Sequence, residues 1–171
     1  MIKNISLRYG LIAGISTVAY FLLFYLVNPR NMFLPWLSWS SLLIYIICMW
    51  LGCKAFFNEN KAEASFRFFL REAFAIYIIA NLVYFLFYYL MLEVFDPSLI
   101  YVQAEVGLAQ LEQYADRLDS KQFEQLKERL ESEDLGLKLN DVLMAFGNSA
   151  IGGFIIALAV AGVFNKSVEG Q

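Results

Sequence analysis

SFRFFLREAFAIYIIANLVYFLFYYLMLEVF, Ser65–Phe95, decides the architecture. It opens with Arg67, Arg71 and Glu72 among bulky apolar residues, and from Ala73 to Leu92 it carries no charge. A helix needs ~20 apolar residues to cross the ~30 Å hydrocarbon core of a bilayer. A barrel strand would alternate apolar and polar residues instead. The run therefore reads as a transmembrane helix, span 3, at about Ala73–Phe95, with the three charges at its edge.

Three further blocks have the same length and character. Span 1 is about Tyr9–Val27, span 2 about Trp36–Cys53 and span 4 about Val142–Phe164, with Pro29 and Pro35 bracketing the first connection. The chain is 60% hydrophobic and 17% charged, against about 45–50% and about 25% in a soluble domain. The expected fold is an all-α membrane protein with four transmembrane helices, residues 1–171 forming a single membrane domain.

Several function classes are excluded early. A net charge of −3 without a basic patch gives no footprint for nucleic acid. There is no histidine, which removes the commonest general base and metal ligand. Cys48 and Cys53 are five apart on one helix, face different ways and read as buried small residues rather than a disulfide. The N-terminal apolar run is too long for a signal peptide and is followed by Asn28–Asn31, NPRN, rather than a cleavage site. No lipid-attachment motif is evident.

Four crossings put both termini on one side. That side receives Lys3, Arg8, Lys54, Lys61, Arg67, Arg71 and Lys166, close to span ends, whereas Arg30 is the comparable residue opposite. The bias of basic residues sets orientation, so N- and C-termini are expected on the cytoplasmic side, with the 96–141 segment outside. That segment is acidic and patterned. Asp96-Pro97 reads as a helix start, and Tyr101, Ala104, Leu108, Leu111, Ala115 and Leu118 repeat at helical spacing. Asp119 and Gln122 form a capping-box pattern, and Phe123, Leu126 and Leu130 form a second stripe. Gly136 can stop this helix and Asn140 can cap span 4. The expectation is an amphipathic helical hairpin whose stripes pack on each other, on lipid or on a partner helix.

RYGLIAG at Arg8–Gly14, GCKAFFNEN at Gly52–Asn60, SFRFFLREAF at Ser65–Phe74, FDP at Phe95–Pro97 and the small-residue last span carry a resemblance. Together they resemble a Bacteroidetes-type family of small bacterial four-helix inner-membrane proteins, catalogued as a domain of unknown function. The resemblance covers nearly the whole chain and implies the fold and topology; it brings no catalytic residues.

Candidate site residues follow from residue type and spacing. Gly10 and Gly14 in span 1, and Ser149, Gly153, Ala157 and Ala161 in span 4, stand four apart, where small side chains let helices approach. They are candidate helix-packing positions, inside the chain or against a second copy. Asn81 and Asn148 are candidate intramembrane polar residues, placed by rise per residue at different depths and each expected in a separate interhelical hydrogen bond. The span interiors are expected to hold no Asp, Glu, Lys or Arg. Glu93 is matched with Arg30 across the outer face. Arg67 and Arg71 share a helix face and, with Glu72 as partner of an arginine or Lys54, are the candidate interfacial anchor and hinge of span 3. No activated nucleophile or metal-ligand set appears, so no enzyme activity, cofactor, metal or catalytic residue is expected. The favoured function is a non-enzymatic structural or accessory component whose acidic hairpin contacts a membrane or envelope protein. An oligomeric transporter or channel for a small or lipid-like solute is the alternative, with membrane lipid a partner in either case.

Overall fold

Long unbroken apolar stretches, with proline only at their entrances, wind into the long helices of this protein. A computed structural model describes residues 4–61, 65–113, 115, 119–131 and 139–169. Helix α1 is Asn4–Val27, α2 Pro35–Glu59, α3 Phe66–Leu90, α4 Leu99–Gln113, α5 Ser120–Glu131 and α6 Leu139–Glu169. Pro35 opens α2 at the first turn, where a missing N–H costs nothing. A 3-10 turn, Pro29–Phe33, links α1 to α2, and α3 runs into a π-helical turn, Met91–Phe95. Among the described residues four helices are long and apolar enough to cross a membrane: α1, α2, α3 with its π turn, and α6. Their outward faces expose Leu23, Leu43, Leu82, Leu86, Ile151 and Ile155, a surface suited to hydrocarbon. The two short helices α4 and α5 lie between the third and fourth spans, as the sequence pattern predicts.

Helix α3 is central, packing against α1, α2 and α6. It runs parallel to α1, with Gly10 beside Ile79 and Gly14 beside Val83. Against α6 it runs antiparallel, with Phe74 on Phe154 and Phe85 on Phe146. One buried cluster gathers Cys53, Phe56, Phe69, Ala73, Ile76 and Phe164 at the end of the bundle where α1 begins and α6 ends. A second holds Phe21, Met32, Leu37, Met91, Leu92 and Leu99 at the hairpin end.

Several expectations are corrected. Helix α3 is continuous from Phe66, so SFRFFLREAF is its first turns rather than a hinge before it; ring packing by Phe69 against Phe56 and Phe164 holds it straight into the bundle. Helix α6 starts at Leu139, which places Asn140 inside the first turn and not at the cap. Asp96-Pro97 forms a turn, with Leu99 N–H on the Asp96 carbonyl at 3.1 Å, and α4 begins after it. In α4 the buried residues are Leu99, Ala104 and Val106, whereas Tyr101 is 63% exposed. The helix turns this way because its bundle-facing side meets polar partners and therefore carries Gln103 and Gln110, which an apolar-stripe reading passes over. Leu118 and Gly136 lie outside the described residues.

Candidate functional site: a polar cleft beneath the hairpin

The row of small residues on α6 makes the site. A Cβ added to Gly153 would lie 2.0 Å from Tyr77 Cε1. Its absence lets the Tyr77 ring lie on the α6 backbone. The hydroxyl then reaches the Ser149 carbonyl at 3.1 Å and Ser149 Oγ at 2.8 Å. Ser149 Oγ in turn donates to Asn81 Oδ1 at 3.2 Å. Ala157 and Ala161 continue the row into the core, both fully buried. On the other flank of α3, Cβ atoms at Gly10 and Gly14 would each sit 2.7 Å from the Cβ of Ile79 and Val83. All six small-residue positions thus face α3 or the core of the same chain, where close backbone approach replaces hydrophobic drive.

Asn81 is only 2% exposed, yet its amide nitrogen has no hydrogen-bond partner; the buried Thr17 Oγ1 is likewise unpaired, although the Tyr45 hydroxyl lies near it. Buried polar atoms are nearly always satisfied, so two orphans at one level of the bundle mark the place. Both line a cavity of about 310 Å³ with Ser38, Tyr45, Tyr77 and Tyr84. A second cavity, of about 370 Å³, shares Ser38, Tyr84 and Phe85 with the first and extends beneath the hairpin. Helices α2 and α6 touch at Trp50 and Phe164, ring centroids 5.0 Å apart, at the opposite end; towards the hairpin the two cavities lie between them. Trp39, 73% exposed, borders the cleft mouth.

The hairpin is fixed over this cleft. Gln103, Val106 and Gln110 of α4 and Leu130 of α5 line its upper cavity, and Gln110 Nε2 donates to the Phe33 carbonyl at 3.4 Å. Arg30 Nη1 pairs with Glu105 Oε1 at 2.8 Å, both side chains largely exposed. Tyr25 O–H donates to Asp96 Oδ2 at 2.9 Å, and Ser98 Oγ donates to Asp96 Oδ1. The bonds from Ser98 and then from Tyr25 hold the Asp96 carboxyl below its ordinary pKa of 3.8.

Other candidates fall elsewhere. Asn148 is exposed on the outer face of α6 and forms no interhelical bond among the described residues; its neighbour Ser149 takes that role. The two asparagines are thus at nearly one level, because α6 begins earlier and packs lower on α3 than a span start at Val142 implies. Arg30 pairs with Glu105, while Glu93 is exposed. Arg67 and Arg71 are exposed beside Phe68, Phe74 and Phe154, which border a cavity of about 470 Å³. Glu72 is not interfacial: it is 2% exposed, accepts from Ser6 Oγ and lies 3.4 Å from Arg71 Nη2. A carboxylate therefore does enter the bundle, tolerated because two donors reach it. Among the described residues no group of three Cys, Asp or Glu side chains is placed to hold a metal ion.

Tyr77, Ser38 and Tyr84 are site residues that sequence reasoning missed, whereas depth along the spans already sets Thr17 and Tyr45 level with Asn81. A signal existed. Tyr77, Asn81, Tyr84 and Tyr88 recur at 4-3-4 spacing, one helical face of polar-tipped side chains, and all four line the cleft. Taken singly, the tyrosines pass as apolar bulk or as an interfacial belt.

A family model described as "Protein of unknown function (DUF4199)" matches residues 8–166. No curated protein and no solved structure matches the chain.

Proposed function

We propose that this chain, which belongs to the DUF4199 family, is a non-enzymatic multi-pass protein of the bacterial inner membrane that takes a small lipid-like solute into the cleft between α2 and α6. The reading is carried by the paired cavities that run from the unpartnered Asn81 amide to the underside of the hairpin. Ligand sites are concave, mostly apolar and about 300–1,000 Å³, with a few placed polar groups. The cleft has that size and that lining, and its mouth lies on the apolar flank of the bundle, where a bilayer component reaches it sideways. Because the small-residue faces are occupied within the chain, a single copy suffices to form it. The clustering of Arg8, Lys54, Arg67, Arg71 and Lys166 at the far end supports cytoplasmic termini and an external hairpin, with Arg67 and Arg71 as anchors to anionic headgroups.

Native mass spectrometry of the protein extracted into nanodiscs of total bacterial lipid tests this. One retained amphiphile per chain is expected, lost at least about tenfold in Ser38→Trp, which fills the junction of the cavities. A bare chain in the unaltered protein would sink the proposal.

The hairpin supports a second, accessory reading. Tyr101, Glu105 and Glu112 are exposed and share one face of α4, suited to a basic-and-apolar patch on a membrane or envelope protein. Photocrosslinking from position 101 should then capture one defined partner; an unspecific smear would count against it.

A further inference from the structure

We infer that the inner end of the cleft selects an uncharged amphiphile whose head offers a hydrogen-bond acceptor, a carbonyl above all, to the side chains of Asn81 and Thr17. The inference deepens the cleft reading and rests on it.

The hydrogen-bond pattern sets the polarity of the site. Tyr77 O–H can donate to Ser149 Oγ, and Ser149 O–H to Asn81 Oδ1, in one direction along the chain. This uses the oxygen of the Asn81 amide and leaves both N–H groups of its nitrogen for the cavity. Thr17 adds a second buried hydroxyl, which has the Tyr45 hydroxyl near it but no hydrogen bond of full geometry. Each of these residues is at least nine-tenths buried, so neither is solvated from outside. Leaving a buried donor unmet is costly, and an acceptor brought by a ligand would remove that cost. A single water would use little of the space: 310 Å³ is roughly ten times the ~30 Å³ share of one molecule.

The charge inventory limits the head. Among the described residues lining the two cavities, none is Asp, Glu, Lys or Arg. A phosphate or carboxylate drawn to this depth would lose its hydration with no ionic partner, which is far costlier than burying a hydrogen-bonded carbonyl. Arg67 and Arg71, suited to anionic heads, sit beside a separate cavity on the α3–α6 flank. Phe21, Trp39 and Phe85 form apolar walls along which a hydrocarbon or ring body can lie. An ester-linked acylglycerol and an isoprenoid quinone share this chemistry of a neutral carbonyl on an apolar body.

The test uses the full chain, delipidated and returned to nanodiscs, with occupancy read by native mass spectrometry. Dioleoylglycerol and a decyl-tailed benzoquinone are the neutral probes, and dioleoyl phosphatidic acid the charged comparator. The expected result is at least about tenfold tighter retention of one or both neutral probes. Which of the two is held distinguishes ester from quinone. Asn81→Leu should reduce that retention about tenfold and Thr17→Val roughly threefold, while Arg67→Gln leaves it unchanged; denaturation midpoints taken in parallel show that each variant is folded. Equal or tighter retention of phosphatidic acid overturns the neutral-acceptor inference and leaves the cleft reading intact. Neutral retention that survives both Asn81→Leu and Thr17→Val overturns the assignment to these two residues. Retention of no amphiphile overturns the cleft reading as well.

Discussion

At the end of the bundle holding Ile5 and Phe164, Glu72 is buried with its carboxylate accepting from Ser6 and Arg71. Towards the hairpin, Asn81 is equally buried and its amide nitrogen has nothing to bond. The surroundings differ in the same sense. Around Glu72 the space is filled: Phe69 stacks edge-on against Phe56 and Phe164, and Cys53 Sγ lies 3.6 Å from the Phe69 carbonyl oxygen. Around Asn81 there are cavities bordered by hydroxyls and rings. One polar group is a closed structural contact, and the other is open to something the chain does not supply. In a low-dielectric interior both are costly when unmet, so the difference separates a residue that holds the fold from one that awaits a ligand.

Four measurements would break or sharpen that contrast, each read as a shift in unfolding free energy in mixed micelles. The largest effect is expected where helices touch backbone to side chain. Gly14→Val puts a Cβ against Val83 Cβ, with the Ala80 carbonyl 3.1 Å away; neither can swing aside, and a loss of roughly 3 kcal/mol follows. Tolerance of this change would mean that α1 and α3 are not in close contact. Next, Ser6→Val removes a donor from the buried carboxylate and should cost about 2 kcal/mol, with Ser6→Thr recovering most of it. Asn81→Leu, by contrast, should cost under about 1 kcal/mol: it removes an unpaired donor together with the Ser149–Asn81 bond, and the Ser149 hydroxyl can turn to donate to Tyr77 instead. If Asn81→Leu proves as damaging as Ser6→Val, the two ends are alike and the contrast fails.

The smallest effect concerns the hairpin root. The folded pKa of Asp96 is lowered by Ser98 and Tyr25, so its ionised form is favoured by folding. The resulting stability is present above pH about 3.8 and is lost as the pH falls through the lower folded value. Tyr25→Phe should therefore weaken the protein slightly at pH 6, by under about 1 kcal/mol, and the gap to the unaltered chain should narrow towards pH 3. A gap independent of pH would mean that Tyr25 acts through packing and not through the carboxylate.

Which parts of this were legible in advance follows from the range of the physics involved. Four apolar blocks and the period of the 96–141 segment appear in the chain itself, because a membrane-spanning helix satisfies its backbone internally and needs only length and composition. The helix-packing positions were legible for the same local reason: Gly10, Gly14, Gly153 and Ala157 lie at fixed steps along their helices, and only their neighbours had to be found. The two asparagines were harder. Depth counted from approximate span ends placed Asn81 and Asn148 apart, whereas a few residues of extra helix at the start of α6 bring Ser149 level with Asn81 and turn Asn148 outward. Glu72 was misplaced for a similar reason, since the first turns of α3 enter the bundle rather than lie across its edge.

The sequence by itself determined that this is an all-helical chain with four candidate membrane spans and a polar insertion between the last two, because helix period and apolar length are properties of neighbours along the chain. Only the tertiary structure decided that Tyr77 would rest on Gly153, that Ser6 would satisfy Glu72, and that Asn81 and Thr17 would be left facing a cavity beneath the hairpin. Whether a buried polar group is met depends on which helix stands opposite it and at what height, and that is set by the packing of helices distant in sequence.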